Sequence, residues 1–212
     1  MNKELKLIKD LIRTELSNNL EKKYELPDNY EQRSIGDRYE GECVKIIKKI
    51  VNDNIIKVIE RRSKKSLEDV TVITENYKIY IDPKTIDISP DLPESKEKKF
   101  SMPNLTAIRK LKKEIFDSVN TELLYVSIKY TIKDNVLNIQ KILLFYVWEL
   151  DLKYTRFGNL GKGQLQIKDA RKDIKLIEIE KKQWWAEFLK KIHKEYIFIL
   201  KQNIIKEVEF WK

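Results

Sequence analysis

An α/β fold, with helices flanking a central β-sheet, is predicted from three observations. Two stretches in the first 51 residues repeat apolar residues at helical spacing, runs rich in β-branched and aromatic residues lie between residues 67 and 150, and the chain ends in a long aromatic-rich stretch of helical pattern. With 212 residues, 42% of them hydrophobic, the chain can bury one good-sized core, and a single domain spanning residues 1 to 212 is expected.

The first helix is expected over residues 3 to 22, where Leu5, Ile8, Ile12 and Leu16 form a stripe with Leu11 and Leu20 beside it. A second helix is expected from about Arg38 to Val51, with Tyr39, Cys43, Ile46, Ile47 and Ile50 on one side. At roughly 100° per residue Glu40 falls inside that apolar sector and Glu42 at its margin. A carboxylate facing inward needs a partner, and a metal site would supply one. Glu40 is therefore the preferred acid, with Glu42 and a merely solvated glutamate as alternatives.

A β-hairpin is predicted over residues 67 to 85, its arms Leu67 to Thr74 and Tyr77 to Thr85 joined by the polar pair Glu75-Asn76. Strand alternation sends Asp82 and Lys84 to one face and Ile79 and Ile81 to the other. The hairpin can also return Asp69 to the side of Asp82. Two converging carboxylates are hard oxygen ligands suited to Mg²⁺, and a lysine beside them can position a nucleophile or offset charge. The Asp-x-Lys pattern alone is weak, because Asp151-Leu152-Lys153 and Asp173-Ile174-Lys175 repeat it. Pro83 removes a ladder donor, so the strand is expected to end or bend there.

Residues 86 to 104 hold three of the five prolines and a charge cluster, and are expected to form a loop. A basic helix from about Leu105 to Val119 should follow, then a second hairpin, Leu123 to Ile132 and Val136 to Leu150, turning near Asp134-Asn135. Three of the five glycines, Gly158, Gly161 and Gly163, fall in residues 156 to 166. Glycine permits close backbone approach, and the Arg, Asn, Lys and Gln side chains there can read base edges or phosphates. Arg156, Asn159, Lys162, Gln164 and Gln166 are the candidate DNA contacts. From Lys181 to Phe210, Trp184, Trp185, Phe188, Leu189, Ile192, Tyr196, Phe198 and Ile199 read as the core side of a helical region.

A formal net charge of +9 favours an anionic partner, with nucleic acid the leading class. One histidine, His193, excludes a multi-histidine zinc site, and one cysteine, Cys43, makes no disulfide framework and fits a reducing cytoplasm. No apolar run reaches the roughly 18 residues of a membrane span, and no signal-peptide pattern is present.

The Asp69, Asp82, Lys84 arrangement, with Thr85 after it, resembles the PD-(D/E)xK nuclease superfamily, and within it the type II restriction endonucleases of the HincII and EcoRV kind. The similarity extends over roughly residues 36 to 200, through Ser101-Met102-Pro103-Asn104 at the head of a helix, Tyr146-Val147-Trp148-Glu149-Leu150 on a later strand, and Gln164 to Asp169. It implies a restriction-endonuclease-like mixed central β-sheet. It also implies Asp69 and Asp82 as Mg²⁺ ligands, Lys84 as the catalytic lysine, an acid on the preceding helix, Asn104 among the DNA contacts, and a homodimer acting on double-stranded DNA.

Overall fold

The computed structural model describes residues 2–50, 55–60, 68–90, 104–158, 164–168, 171–197, 201, 202, 204, 205 and 209. A mixed six-stranded sheet with flanking helices forms its centre, as the sequence predicts. Helix α1 (Lys3–Asn19) opens on Asn2, whose side-chain oxygen accepts from Glu4 N at 2.8 Å, and it buries Leu5, Ile8, Ile12 and Leu16. It stops three residues short of the expected Lys22, because the backbone turns extended at Leu20. Strand β1 (Lys23–Glu25) follows, then α2 (Gln32–Lys48), which begins about a turn and a half before the apolar repeat announced it. Tyr39, Cys43 and Ile47 on α2 are fully buried.

The first hairpin is β3 (Val70–Ile73) and β4 (Lys78–Asp87), closed where Thr74 N donates to Tyr77 O at 2.9 Å around Glu75 and Asn76. Its outer neighbour is β2 (Lys57–Glu60). The second hairpin joins β6 (Thr121–Lys133) to β7 (Val136–Tyr146) through Asp134 and Asn135, both at positive φ (51° and 57°), the backbone a two-residue hairpin turn demands. The sheet order is β1-β7-β6-β4-β3-β2, with β4 and β6 parallel and every other pair antiparallel. Ten successive residues of β6 are buried, as befits a central strand covered on both faces.

Four expectations are corrected. Strand β4 does not end or bend at Pro83 but runs on to Asp87 in unbroken register with β6. Alternation explains the tolerance: the Ile81 carbonyl faces β3, where it accepts from Asp69 N, and Lys78 N faces the β6 side, donating to Asn120 O. The nitrogen of Pro83 therefore points to the β3 side, beyond the last paired residue of that strand, Val70, and no ladder bond is lost. The loop expected from residue 86 consequently starts later; residues 91–103 lie outside the described set.

Asn104 heads not a helix but a short strand, β5 (Asn104–Ala107), and helix α3 (Ile108–Leu111) begins only after it, widening into a π-helical turn over Lys112–Phe116. Finally, β7 stops at Tyr146, and Val147–Glu149 form a 3-10 turn. Glu149 reaches back to accept from Tyr146 N at 2.7 Å and pairs with Lys9 of α1 at 2.7 Å, so a long-range ion pair ends the strand that local β propensity would have continued.

A smaller three-stranded sheet has the order β5-β9-β8, with β8 at Thr155–Gly158 and β9 at Gln164–Ile167. Helix α4 (Lys181–Lys191) supplies the aromatic side of the core: Trp184 and Phe188 are fully buried, and Phe116 stacks on Trp185 with ring centroids 4.0 Å apart. His193 is exposed, and Phe198 and Ile199 lie outside the described residues. No described helix is long and apolar enough to cross a membrane.

Candidate active site

The β-branched and aromatic run Ile79-Tyr80-Ile81 holds β4 in the middle of the sheet, and the strand carries Asp82 and Lys84 on one face. Lys84 Nζ donates to Asp82 Oδ1 at 2.7 Å; the Asp82 side chain is only 7% exposed and that of Lys84 25%. Asp69 stands at the head of β3, and its amide donates to Ile81 O at 3.0 Å, which ties it to the residue before Asp82. Glu40, on α2, lines an open cavity of about 520 Å³ together with Asp69, Asp37, Lys45, Lys48 and Glu60.

Electrostatics bind these residues into one cluster. Burial drives the Asp82 carboxyl up to about 7; the Lys84 ammonium and its hydrogen bond oppose this, while the charges of Asp69 and Glu40 add to it. Burial alone would lower Lys84, yet Asp82, Glu40 and Asp69 outweigh it and raise the lysine. The two shifts share a direction for different reasons: burial dominates at Asp82, with Asp69 and Glu40 adding to it, whereas at Lys84 the surrounding carboxylates overcome burial. Glu42 turns elsewhere: its Oε1 lies 3.1 Å from Arg38 Nε, and it is not among the charges that move Asp82 or Lys84.

The same electron-rich cluster, built from hard oxygens, suits a divalent cation such as Mg²⁺. Among the described residues no three His, Cys, Asp or Glu side chains are gathered tightly enough to hold an ion by themselves. Mg²⁺ commonly takes only one or two carboxylates and completes its shell with water and substrate phosphate. Cys43, also on α2, is buried, and burial first, then Glu42 and Glu40, push its thiol up to about 12, which disfavours the thiolate near neutral pH.

A glycine stands where α2 comes close to β4. A Cβ placed on Gly36 would stand 3.2 Å from Thr85 Oγ1, and Gly36 is one helical turn from Glu40 on the same side of α2. Gly36→Ala should change the melting temperature little, since the gain in helix propensity of about 1 kcal/mol offsets the crowding. Displacing Glu40 by a few tenths of an ångström should nonetheless slow turnover about 3- to 10-fold. Single-turnover rates beside a melting curve check this.

The other candidate residues lie on the smaller sheet. Asn104, Gln166 and Arg156 form one cross-strand row, Asn104 opposite Gln166 and Gln166 opposite Arg156. Arg156 is exposed, and its Nε donates to the buried Gln166 Oε1 at 3.0 Å, which holds the guanidinium plane. Gln164 sits on β9 opposite Gly158, whereas Asn159 and Lys162 lie outside the described residues. The two other Asp-x-Lys triplets are local devices: Asp151 caps Lys153 N at 3.0 Å, and the Asp173 carboxylate, 70% exposed, pairs with Lys141 at 3.3 Å.

Sequence reasoning missed Tyr125 and Ser127, which the parallel pairing of β4 with β6 sets beside Asp82 and Lys84 respectively. Nothing in the local sequence signals a contact between strands so far apart in the chain.

No protein-family model matches the sequence. No curated protein matches it either. Among solved structures, the NlaIV restriction endonuclease is similar, with 11% sequence identity, a TM-score of 0.56, and alignment over 90% of this chain and 80% of that one. The likeness is one of architecture: this chain has a restriction-endonuclease-like fold, a mixed central sheet with flanking helices.

Proposed function

We propose that this protein is a type II restriction endonuclease of the PD-(D/E)xK superfamily, of the HincII and EcoRV kind, that hydrolyses phosphodiester bonds of double-stranded DNA with Mg²⁺. The observation that carries the proposal is the buried Asp82–Lys84 pair with Asp69 tied beside it, on the central strand of a sheet folded like that of a restriction endonuclease. Asp69 and Asp82 are the proposed metal ligands, and Glu40 adds negative charge from α2. When bound there, Mg²⁺ supplies charge neutralisation of the phosphate and acidification of a water. Lys84 Nζ, held by Asp82, orients the attacking water and offsets charge on the phosphate oxygens. The basic surplus of the chain supplies phosphate contacts whose strength falls with salt.

Recognition is assigned to the smaller sheet and its loop: Arg156, Asn104, Gln164 and Gln166, with Asn159 and Lys162. A palindromic site implies a homodimer in which each subunit cuts one strand, and the reduced Cys43 fits a cytoplasmic enzyme. A plasmid digest with Mg²⁺ tests the function directly. Discrete bands support restriction; cleavage of branched DNA alone would instead identify a structure-specific repair nuclease, and no cleavage of any DNA would leave a binding protein. Arg156→Ala is expected to cut discrimination between sites by about 1–3 kcal/mol, read as star activity in sequenced ends, with far less effect on the rate at saturating DNA.

A further inference from the structure

Two buried hydroxyls on β6 lack a hydrogen-bond partner among the described residues, and the residues that carry them are paired in register with Asp82 and Lys84. Tyr125 (1% exposed) is the register partner of Asp82, and Ser127 (3% exposed) is the partner of Lys84, so on parallel strands the four side chains share one face of the sheet. Tyr125 Oη and Ser127 Oγ are both shut off from solvent and lack a hydrogen-bond partner among the described residues. That is unusual in this molecule as well as in general. Buried Glu122 accepts from Trp148 Nε1 at 2.9 Å and Lys181 Nζ at 3.1 Å, buried Lys9 is held by Glu149, and buried Ser89 donates to Asp87 at 2.6 Å.

An unpaired buried hydroxyl costs stability that phenylalanine or alanine would recover, so two of them beside a carboxylate and an ammonium need a reason. A carboxylate has two oxygens and room for several donors, whereas the contact with Lys84 uses only Oδ1 of Asp82. Tyr125 also lies within the electrostatic reach of Asp82, whose charge adds to burial in raising the phenol.

Resting on the nuclease reading of this site, we propose that Tyr125 and Ser127 are positioning residues, whose hydroxyls close hydrogen bonds onto Asp82 and Lys84 when DNA enters the site. In the free protein both hydroxyls wait unpaired; in the complex the Tyr125 phenol donates to the Asp82 carboxylate and the Ser127 hydroxyl accepts from the Lys84 ammonium, fixing both in their reacting orientations. Such bonds exist only in the working state and so contribute to turnover and not to folding.

The experiment uses the full-length chain as Tyr125→Phe, Ser127→Ala and Ser127→Thr, each measured by thermal unfolding and by steady-state cleavage of a plasmid with Mg²⁺. Tyr125→Phe and Ser127→Ala are expected to melt at the parental temperature or about 2–4 °C above it. Their kcat should fall about 10- to 100-fold with KM nearly unchanged, and Ser127→Thr, which keeps the hydroxyl, should recover most of the rate. A drop in melting temperature of the same size would overturn the assignment, because it would show the hydroxyls already bonded in the free protein. A cutting parent whose variants keep kcat within about two-fold would overturn it and leave the nuclease reading standing. A parent that cuts no DNA would remove both.

Discussion

Replacing Asp82 with asparagine is expected to abolish cleavage, by at least about 10²-fold, while DNA binding in a gel-shift assay with Ca²⁺ stays close to parental. Asparagine keeps the shape of the side chain but removes the charge that holds Lys84 Nζ at 2.7 Å, and with it one of the two proposed metal ligands. On the proposed function binding survives, because affinity would come from phosphate contacts of many basic residues, which this change leaves intact. Asp151 and Asp173 provide the control. They head the same Asp-x-Lys pattern, yet one caps a turn and the other pairs with Lys141 at the surface, so Asp151→Asn and Asp173→Asn should cut at the parental rate. Equal loss in all three would refute the assignment of the centre to β4.

The second large effect is on stability. In the absence of divalent metal, the protein is expected to lose stability as the pH rises from about 4 to about 7. The Asp82 carboxyl is pushed from 3.8 to about 7 in the folded state, so across that window the native chain holds a proton that the unfolded chain has released. The stabilisation is complete below the unfolded value and is lost as the pH passes the folded one. At roughly 1.4 kcal/mol per unit, the loss is on the order of 4 kcal/mol, a large share of the stability of a domain. Glu122, also raised, chiefly by burial and against the pull of Lys181 and Trp148, acts with the same sign. Urea midpoints for the parent and Asp82→Asn across this range check it: the parent should decline steeply, and the variant should decline far less, keeping only the part that Glu122 carries, and be the more stable of the two at about pH 8. Parallel curves would show that Asp82 does not carry the effect.

Both results rest on a centre that was partly legible in the sequence. The Glu75-Asn76 turn between β-branched arms announced the hairpin, and strand alternation alone placed Asp82 and Lys84 together. Helical periodicity put Glu40 inside the apolar sector of α2 and Glu42 at its margin, and left the choice between them open. Local pattern failed wherever a distant segment decides. Asn104 to Ala107 follow a proline and precede a basic helical run, which reads as a helix start; pairing with β9, some sixty residues later, makes them a strand. Val147 and Trp148 have the composition of a strand, but Glu149 and Lys9 impose a turn. Tyr125 and Ser127 read as ordinary strand residues until the parallel pairing sets them against β4.

Pro83 has a consequence for the margin of its strand. A sheet margin with free amides invites another strand to zip onto it, from the same chain or from a neighbour. Beside Asp82 the β3-facing side of β4 offers a proline nitrogen in place of an amide, so an incoming strand finds no donor at the position it would need to extend the ladder past Ile81. The residue that looked like a strand breaker leaves its own strand whole and takes one donor from the margin of β4 beside Asp82.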